Sequence, residues 1–287
     1  MRRRTVVATS ILISIVVLVY WLFALPQVAD VAVAHSPQAI ERGRYLVVAG
    51  GCINCHEGRQ QPESMSGGLA LQSDYGTFYV PNITPDSATG IGNWSGRDFL
   101  LALKHGRRPG GGFYYPAFPY PSYAGMTDQD ALDTAAYLMS LPAIEFTAPP
   151  HEVPTWLWRW TLAGWNKLAA FSRPELVAET DAKIARGAYI ARHLGHCGEC
   201  HTPRNSLGIA DFNREFAGAQ LGEDDVEAID AEALAHWTEE DFAYFLFLGV
   251  KPDDEFVGGA MEMVIEHNTS KLTTNDQQAL AAFFLRR

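Results

Sequence analysis

The N-terminal segment is the longest apolar stretch of the chain. Val6–Leu25 contains twenty residues without a charge, and three arginines, Arg2–Arg4, precede it. A helix of that length spans about 30 Å, which is the thickness of the hydrocarbon core of a bilayer. The pattern predicts a transmembrane helix. The arginines predict that its N-terminus stays in the cytoplasm and that the rest of the chain lies on the outer side.

A cleaved signal peptide is the alternative interpretation of this segment. Ala32-Val33-Ala34 resembles a cleavage site, but secretory apolar regions usually contain only about 7–15 residues. The apolar run here is longer, and the small-residue motif lies well beyond its end, so we favour a retained anchor. Both interpretations place the chain from residue 35 onward in the same outer compartment.

Two parts of the remaining chain match each other. Arg42–Leu46 and a following Cys-Ile-Asn-Cys-His motif correspond to Arg186–Ile190 and a following Cys-Gly-Glu-Cys-His motif. Trp94–Phe99 corresponds to Trp237–Phe242, and from the two tryptophans the copies continue for 24 positions without a gap. An internal repeat of this kind predicts a duplicated domain. The gapless alignment pairs Gly106 with Gly249, Pro109 with Pro252, and Phe118 with Met261.

Each copy ends in a predicted helix. Thr127 and Thr273 are the predicted N-caps, and acidic residues follow them in the first turn. Met126 and Leu272 stand just before the caps, where an apolar residue packs back onto the helix. The chain is therefore predicted to be mainly α, with a membrane anchor over 1–34, a helical domain over 35–147, a linker over 148–180 and a second helical domain over 181–287.

The linker is rich in proline and tryptophan. Thr155–Phe171 contains four tryptophans beside Arg159 and Lys167, and it is too short and too charged to span a bilayer. Its aromatic and basic content suits a helix lying at a membrane surface. The alternative, which we favour at this point, is a helix packed between the two domains.

The charge balance and the number of cysteines exclude two classes of protein. The 287 residues include 22 Lys+Arg and 33 Asp+Glu, for a net charge of −11. This balance argues against a nucleic-acid-binding protein, which needs clustered basic residues. Four cysteines are too few for a disulfide framework in a chain of this size. The acidic exterior is expected to attract basic partners.

Every cysteine lies in one of two Cys-x-x-Cys-His motifs. This motif is a c-type haem attachment site. Two thiols one helical turn apart can bond the two vinyl groups on one edge of a porphyrin, and the adjacent His then ligates the iron. A redox dithiol or half a zinc site could explain one copy, but two copies in equivalent repeats predict two covalently bound haem c groups. The predicted attachment residues are Cys52, Cys55, Cys197 and Cys200, and the predicted axial ligands are His56 and His201.

The second domain offers a distal ligand. Met261 follows Gly258-Gly259-Ala260, between the haem motif and the terminal helix, and a thioether there can reach the open face of the iron. Met263 is the alternative. We also expect the carbonyl of Pro203 to orient the axial imidazole and Arg204 to face a haem propionate.

The first domain lacks this ligand, because Phe118 stands where Met261 stands. A benzyl group cannot ligate iron, so the first haem is predicted to be five-coordinate or to have an unusual sixth ligand. Several nearby residues remain as alternatives, each with a simpler interpretation as a core, helix-end or linker residue. They are Met65, Met126, Met139, His105, His151, Tyr114, Tyr115, Tyr120 and Tyr123.

From Glu41 to its C-terminus the chain resembles the multihaem cytochrome c subunits of bacterial membrane-bound alcohol, gluconate and aldehyde dehydrogenases. The resemblance rests on Arg42–Leu46, Asn82–Asp86, Thr89–Trp94, Tyr115–Pro121 and, most specifically, Gly195–Asn205. It implies two tandem class I cytochrome c-type domains. It also implies an electron carrier that accepts electrons from a catalytic subunit and passes them to quinone or an oxidase.

Two departures separate the chain from that family pattern. Its members commonly carry three haem motifs, whereas this chain has two, and many have Met where Phe118 stands. A modified role for the first haem is therefore expected.

The functional prediction is a dihaem cytochrome c in the bacterial inner membrane, with a single span and its domains in the periplasm. It would carry electrons from a dehydrogenase-type donor to the respiratory chain, and it would not itself be an enzyme. One alternative is a haem enzyme that acts on a small inorganic substrate at an open first haem. Another is a tethered haem domain with a sensing or assembly role.

Overall fold

The computed structural model describes residues 2–58, 61, 64–173, 179–222 and 224–286. We call residues 35–147 the first half and residues 181–287 the second half. The prediction of a mainly helical protein is confirmed, although each half also contains a short antiparallel hairpin.

The helices are α1 Arg2–Phe23, α2 Pro37–Ala49, α3 Cys52–His56, α4 Gly96–His105, α5 Tyr120–Tyr123, α6 Asp128–Leu138, α7 Leu162–Phe171, α8 Ala182–Tyr189, α9 Gly198–His201, α10 Glu239–Leu248, α11 Ala260–His267 and α12 Thr274–Phe284. The strands are β1 Ala70–Ser73, β2 Gly76–Tyr79, β3 Ala219–Leu221 and β4 Asp224–Val226.

Elements of the same kind follow one another in the same order in the two halves. A motif helix, a hairpin, a middle helix and a terminal helix succeed the first helix of each half. The predicted caps are confirmed, because the Thr127 and Thr273 hydroxyls accept hydrogen bonds from backbone amides in the first turns of α6 and α12. The gapless part of the repeat keeps its register as well. The Arg107–Phe113 bridge in the first half corresponds to the Val250–Phe256 bridge in the second.

The first and last helices of each half pack closely, α2 against α6 and α8 against α12. The glycine of each Arg-Gly pair lies at the crossing. A Cβ atom on Gly43 would lie 1.8 Å from the carbonyl oxygen of Asp133, and one on Gly187 would lie 1.9 Å from that of Ala279. Because the obstructing atoms belong to the backbone, only glycine permits this approach in either half.

The second half accommodates one extra residue. Arg42 precedes Cys52 by ten positions, whereas Arg186 precedes Cys197 by eleven. A π-helical turn, Ile190–Leu194, directly follows α8 and takes up that residue. The haem motif is thus brought to an equivalent position despite the insertion.

Two tyrosines link the halves in a pseudo-symmetric way. The hydroxyl of Tyr45 on α2 donates to the Asp276 carboxylate at 2.6 Å and accepts from the Thr273 amide at the start of α12. Tyr189 on α8 makes the equivalent contacts with Asp130 and the amide of Thr127 at the start of α6. Each half therefore holds the terminal helix of the other through its own tyrosine.

The Asp276 carboxylate at this contact stays ionised under ordinary conditions. Burial alone would raise the pKa of Asp276, but hydrogen bonds from Arg186 and Tyr45 outweigh that effect and lower the pKa. An ionised acceptor makes a stronger hydrogen bond than a neutral one. The Tyr45 contact is therefore an energetically significant part of the interface.

The linker helix packs on both halves. The Tyr120 hydroxyl donates to the side-chain oxygen of Asn166 at 2.6 Å, and the Trp165 indole donates to the carbonyl oxygen of Leu207 at 2.8 Å. These contacts correspond to the packed arrangement favoured from the sequence, but they involve only one side of α7.

In the part of the chain that the structure describes, one helix is long and apolar enough to cross a membrane. It comprises Thr5–Phe23, and none of its most apolar window is buried within the protein. This agrees with the segment predicted from the apolar pattern.

The tyrosine contacts generate a prediction. Tyr45→Phe is expected to lower the free energy of unfolding by about 1–3 kcal/mol, because it removes a hydrogen bond to an ionised carboxylate. Tyr189→Phe should have a similar effect, and both can be measured by urea unfolding of the full chain. Tyr244→Phe on the exposed side of α10 is the matched control. If Tyr45→Phe were as stable as this control, the hydrogen bond would not hold the halves together.

Candidate haem-binding sites

The two cysteine motifs form short helices, α3 and α9, at equivalent places. The residue before the first cysteine adopts a left-handed conformation in each half, with φ of 63° at Gly51 and 40° at His196. This turn redirects the chain from the first helix of the half into the motif helix. Both cysteines of each motif then lie on a single turn, as attachment to one porphyrin edge requires.

The two cysteines of each motif are not joined by a disulfide. Burial raises the pKa of Cys52 and of Cys197 to about 12, and it also raises the pKa of Cys55 and of Cys200.

The two imidazoles predicted to be axial ligands are oriented by backbone carbonyls. Nδ1 of His56 lies 2.8 Å from the carbonyl oxygen of Pro81, and Nδ1 of His201 lies 2.7 Å from that of Glu227. A proton on Nδ1 that is donated to a carbonyl leaves the Nε2 lone pair free for a metal. Burial lowers the pKa of His56 to about 4 and also lowers that of His201, so both rings are neutral, as ligation requires.

A hairpin supplies each orienting carbonyl. In the first half, the Gly67 amide donates to the backbone oxygen of His56 at 2.9 Å, strands β1 and β2 follow, and Pro81 comes next. In the second half, the Gly218 amide donates to the backbone oxygen of His201 at 2.8 Å, and β3, β4 and Glu227 follow. Each hairpin is thus tied to its histidine at both ends.

The expectation for Pro203 is wrong. Its carbonyl accepts a hydrogen bond from the Asp211 amide and does not contact the His201 ring. The structure places Arg204 against the carboxylate and backbone oxygen of Glu199 and the carbonyl oxygen of Gly208. Its guanidinium is thus engaged within the protein.

A buried polar network holds the first orienting carbonyl. The side-chain oxygen of Asn82 accepts from the amide and the hydroxyl of Thr84, and its NH2 group donates to the carbonyl oxygen of Ile144 at 2.7 Å. Both side chains are almost fully buried. The Asn82–Asp86 turn, which was singled out in the sequence, therefore fixes Pro81 beside His56.

The arrangement fits haem c and not a zinc site. Within the described ranges, no group of three or more His, Cys, Asp or Glu side chains converges closely enough to hold a metal ion. The cysteines and histidine of one motif therefore do not form a shared tetrahedral site. The paired thiols of one turn could bond the vinyl groups of one porphyrin, and the imidazole with a free Nε2 could ligate its iron, as haem c requires.

Helix α11 begins directly after Gly259, whose φ of 66° turns the chain into the helix. Met261 lies in the first turn of α11. Its side chain is half-buried, whereas Met263 is 47% exposed. In the first half, Phe118 occupies the corresponding position in the repeat. Its ring packs against Tyr114, Tyr120 and Tyr123 with centroid distances of 5.6–6.2 Å.

Four of the other candidate ligands of the first half, the three methionines and His151, have structural partners. The backbone oxygen of Met65 accepts from the Ile83 amide, which places Met65 beside Pro81 on the same side as His56. Met126 is buried in the apolar cluster between the halves, and Met139 caps the end of α6. Nδ1 of His151 accepts from the Tyr79 amide at 3.1 Å. The contacts of these four residues are therefore with other parts of the protein and not with Nε2 of His56.

The two motifs lie back to back across the interface between the halves. The Tyr123 hydroxyl donates to the carbonyl oxygen of Gly50 at 2.9 Å, and Nε2 of His196 lies 3.2 Å from that same oxygen. Asn54 in the first motif donates to Asn268, and Glu199 in the second motif accepts from Ser122. Each motif therefore contacts the opposite half directly.

Comparison with known proteins identifies the family. A cytochrome c family model matches residues 40–142. A protein described as diheme cytochrome c-type, from Cereibacter sphaeroides, is 41% identical over 254 residues, which cover 85% of this chain and 84% of that protein. The gluconate 2-dehydrogenase cytochrome c subunit of Pantoea cypripedii is 35% identical, with 85% of this chain and 58% of that protein covered. The chain belongs to the family of dehydrogenase cytochrome c subunits.

Membership defines the general chemistry. A dehydrogenase cytochrome c subunit carries covalent haem c and transfers electrons. The cytochrome c subunit of the quinone-dependent alcohol dehydrogenase of Gluconobacter oxydans is 34% identical over 87% of this chain and 56% of its own length. The chain thus spans a little over half the length of the gluconate and alcohol dehydrogenase subunits that it matches.

Proposed function

We propose that this chain is a periplasmic dihaem cytochrome c, anchored in the bacterial inner membrane by α1. It would carry electrons from a dehydrogenase-type donor to a quinone, a cytochrome or an oxidase of the respiratory chain. The observation that carries the proposal is the duplicated site, in which a Cys-Cys-His turn and a carbonyl-bound imidazole recur in the two halves.

Each half would form one class I cytochrome c-type domain with one haem. Cys52 and Cys55 would hold the first group and Cys197 and Cys200 the second. When bound, haem c supplies a one-electron iron couple whose potential depends on the axial ligands. The protein orients His56 and His201 through backbone carbonyls, keeps both imidazoles neutral and surrounds the motifs with apolar residues.

The anchor proposal is supported by contacts at the end of α1. The Arg107 guanidinium donates to the carbonyl oxygen of Ala24 at 3.0 Å, and the Phe23 ring lies 6.2 Å from that of Phe113. Cleavage near Ala34 would remove both partners from the folded first half. These contacts therefore favour retention of α1.

The donor subunit is proposed to dock on the second half. Phe113 in the first half is only 2% exposed, beneath the end of α1 and α7, whereas its counterpart Phe256 is 77% exposed. Tyr244, Phe247 and Leu248 on α10 are exposed as well. Acidic side chains lie beside them in the sequence of α10 and of the following loop, which favours a partner with a basic rim. They are Glu239, Glu240, Asp253, Asp254 and Glu255.

A second candidate function rests on Phe118. If the first iron has no sixth ligand from the protein, it could bind and transform a small inorganic molecule. The chain would then be a haem enzyme as well as a carrier. The aromatic packing of Phe118 against three tyrosines favours this reading over a displaced thioether ligand.

Haem stoichiometry tests the main proposal. The wild-type chain should give two covalent haems in a pyridine haemochrome assay and by mass spectrometry. The Cys52→Ala/Cys55→Ala variant and the Cys197→Ala/Cys200→Ala variant should each retain one, because each removes one attachment turn. A wild-type chain with fewer than two haems would overturn the dihaem proposal.

The distal ligand of the second haem is tested by Met261→Leu. Loss of a thioether should lower the potential of one haem, by on the order of 100 mV, since axial ligands set haem potentials over a range of about 0.8 V. The other haem should titrate unchanged. Met263→Leu is the matched control. A shift in that variant with none in Met261→Leu would move the ligand to Met263.

Carbon monoxide distinguishes a carrier from an open-site enzyme. If the first iron is open, CO added to the reduced protein should change the absorption of one haem, and the Cys52→Ala/Cys55→Ala variant should lose that response. If neither haem responds, the open-site enzyme is excluded. A response that survives in the variant would assign the open iron to the second half.

A further inference from the structure

Three of the four tryptophans of the linker face outward. Trp156, Trp158 and Trp160 are 65%, 67% and 56% exposed, and Phe171 at the end of α7 is 80% exposed. Aromatic side chains of this size strongly favour removal from water. A group of large exposed aromatic side chains in one short segment therefore marks a place where the protein meets an apolar partner.

The alternate residues of this segment hold it in place. The Tyr115 hydroxyl donates to the carbonyl oxygen of Leu157 at 2.8 Å. The Arg159 guanidinium donates to the carbonyl oxygen of Phe113 at 3.0 Å and lies over the Tyr115 ring. Because residues 157 and 159 are fixed against the first half, the fold itself directs the three tryptophans outward.

The same segment surrounds the end of the membrane helix. The Trp160 ring lies 5.5 Å from that of Phe23, and Nζ of Lys167 lies 4.7 Å from the centroid of the Trp21 ring. Leu22 and Phe23 also pack in the apolar cluster that contains Leu162. The linker and the last turn of α1 thus form one continuous surface.

These contacts fix the position of the linker along the axis of α1, and so its depth relative to the membrane. Trp21 stands two residues before Phe23, where the apolar span ends, and two residues correspond to about 3 Å along a helix. A group that touches both residues lies where α1 leaves the hydrocarbon core. If α1 spans the bilayer, the linker must therefore be at the membrane–water interface.

The charge of the segment matches an anionic surface. Residues 153–173 contain Arg159, Lys167 and Arg173 and no acidic residue, in a chain whose net charge is −11. Basic residues and tryptophans together are typical of segments that lie among phospholipid headgroups. An acidic protein surface would otherwise be repelled by an anionic leaflet.

We propose that residues 154–171 form a second, non-spanning membrane contact, in which the three tryptophans and Phe171 insert among anionic phospholipid headgroups beside α1. The contact would hold the first half at the bilayer surface, because the segment is hydrogen-bonded to Phe113 and Tyr115 of that half. This inference rests on the membrane anchor of the proposed function.

Site-directed spin labelling of the full holoprotein in nanodiscs tests the proposal. The discs contain phosphatidylcholine and phosphatidylglycerol, and the native cysteines are consumed by haem attachment. Nitroxides at Trp158→Cys, Val16→Cys and Phe256→Cys are compared by power saturation with oxygen and with a water-soluble nickel chelate. Phe256 is the matched control, since it is an equally exposed aromatic residue on the second half.

The expected result is a graded depth. The label at 16 should be accessible to oxygen and shielded from nickel, the label at 158 should be intermediate, and the label at 256 should be fully accessible to nickel. A label at 158 that matches the label at 256, while the label at 16 remains in lipid, would overturn the linker contact and leave the anchor intact. A label at 16 that is open to nickel would overturn the anchor and the linker contact together.

Discussion

The geometry of each candidate site depends on one constraint. A backbone carbonyl that lies far away in the sequence fixes the orientation of the imidazole. His56 and Pro81 are separated by 25 positions, and His201 and Glu227 by 26. A hairpin closes each of these loops, and a glycine amide binds the backbone of the same histidine at the loop's beginning. The ring is therefore held from both ends of one element. Without this hairpin the Cys-Cys-His turn would present its thiols correctly but leave Nε2 free to rotate.

The two sites are joined by contacts that repeat across the interface. Tyr45 and Tyr189 each bind the start of the terminal helix in the opposite half, and Asn54 and Glu199 within the motifs bind equivalent positions across the same boundary. Because each contact recurs with the halves exchanged, the motifs are fixed relative to each other by matched pairs. In the proposed dihaem protein, this back-to-back placement would keep the attachment edges of the two groups together.

Sequence reasoning succeeded where the signal was local and failed where it was not. The caps at Thr127 and Thr273 depend on side chains close together in the chain, and the structure retains both caps. The gapless register is retained as far as the bridges Arg107–Phe113 and Val250–Phe256. A carbonyl group belongs to every residue, so no pattern of side chains identifies Pro81 or Glu227 as the acceptor. The stretches from histidine to glycine also differ in length, at 11 residues in the first half and 17 in the second. The repeat therefore could not be aligned through the hairpins.

Equivalent halves with unequal surroundings can have different roles. The fold places Phe113 and Phe256 at the same position, yet α1 and α7 cover the first and leave the second open. Burial of the first face uses the apolar end of the membrane helix, which in the proposed arrangement holds that half at the bilayer. The second face is then available only to another protein, and the acidic residues next to it in sequence favour a basic one. Duplication thus supplies two similar sites, and in the proposed arrangement the asymmetric linker would decide which of them meets the membrane and which meets a partner.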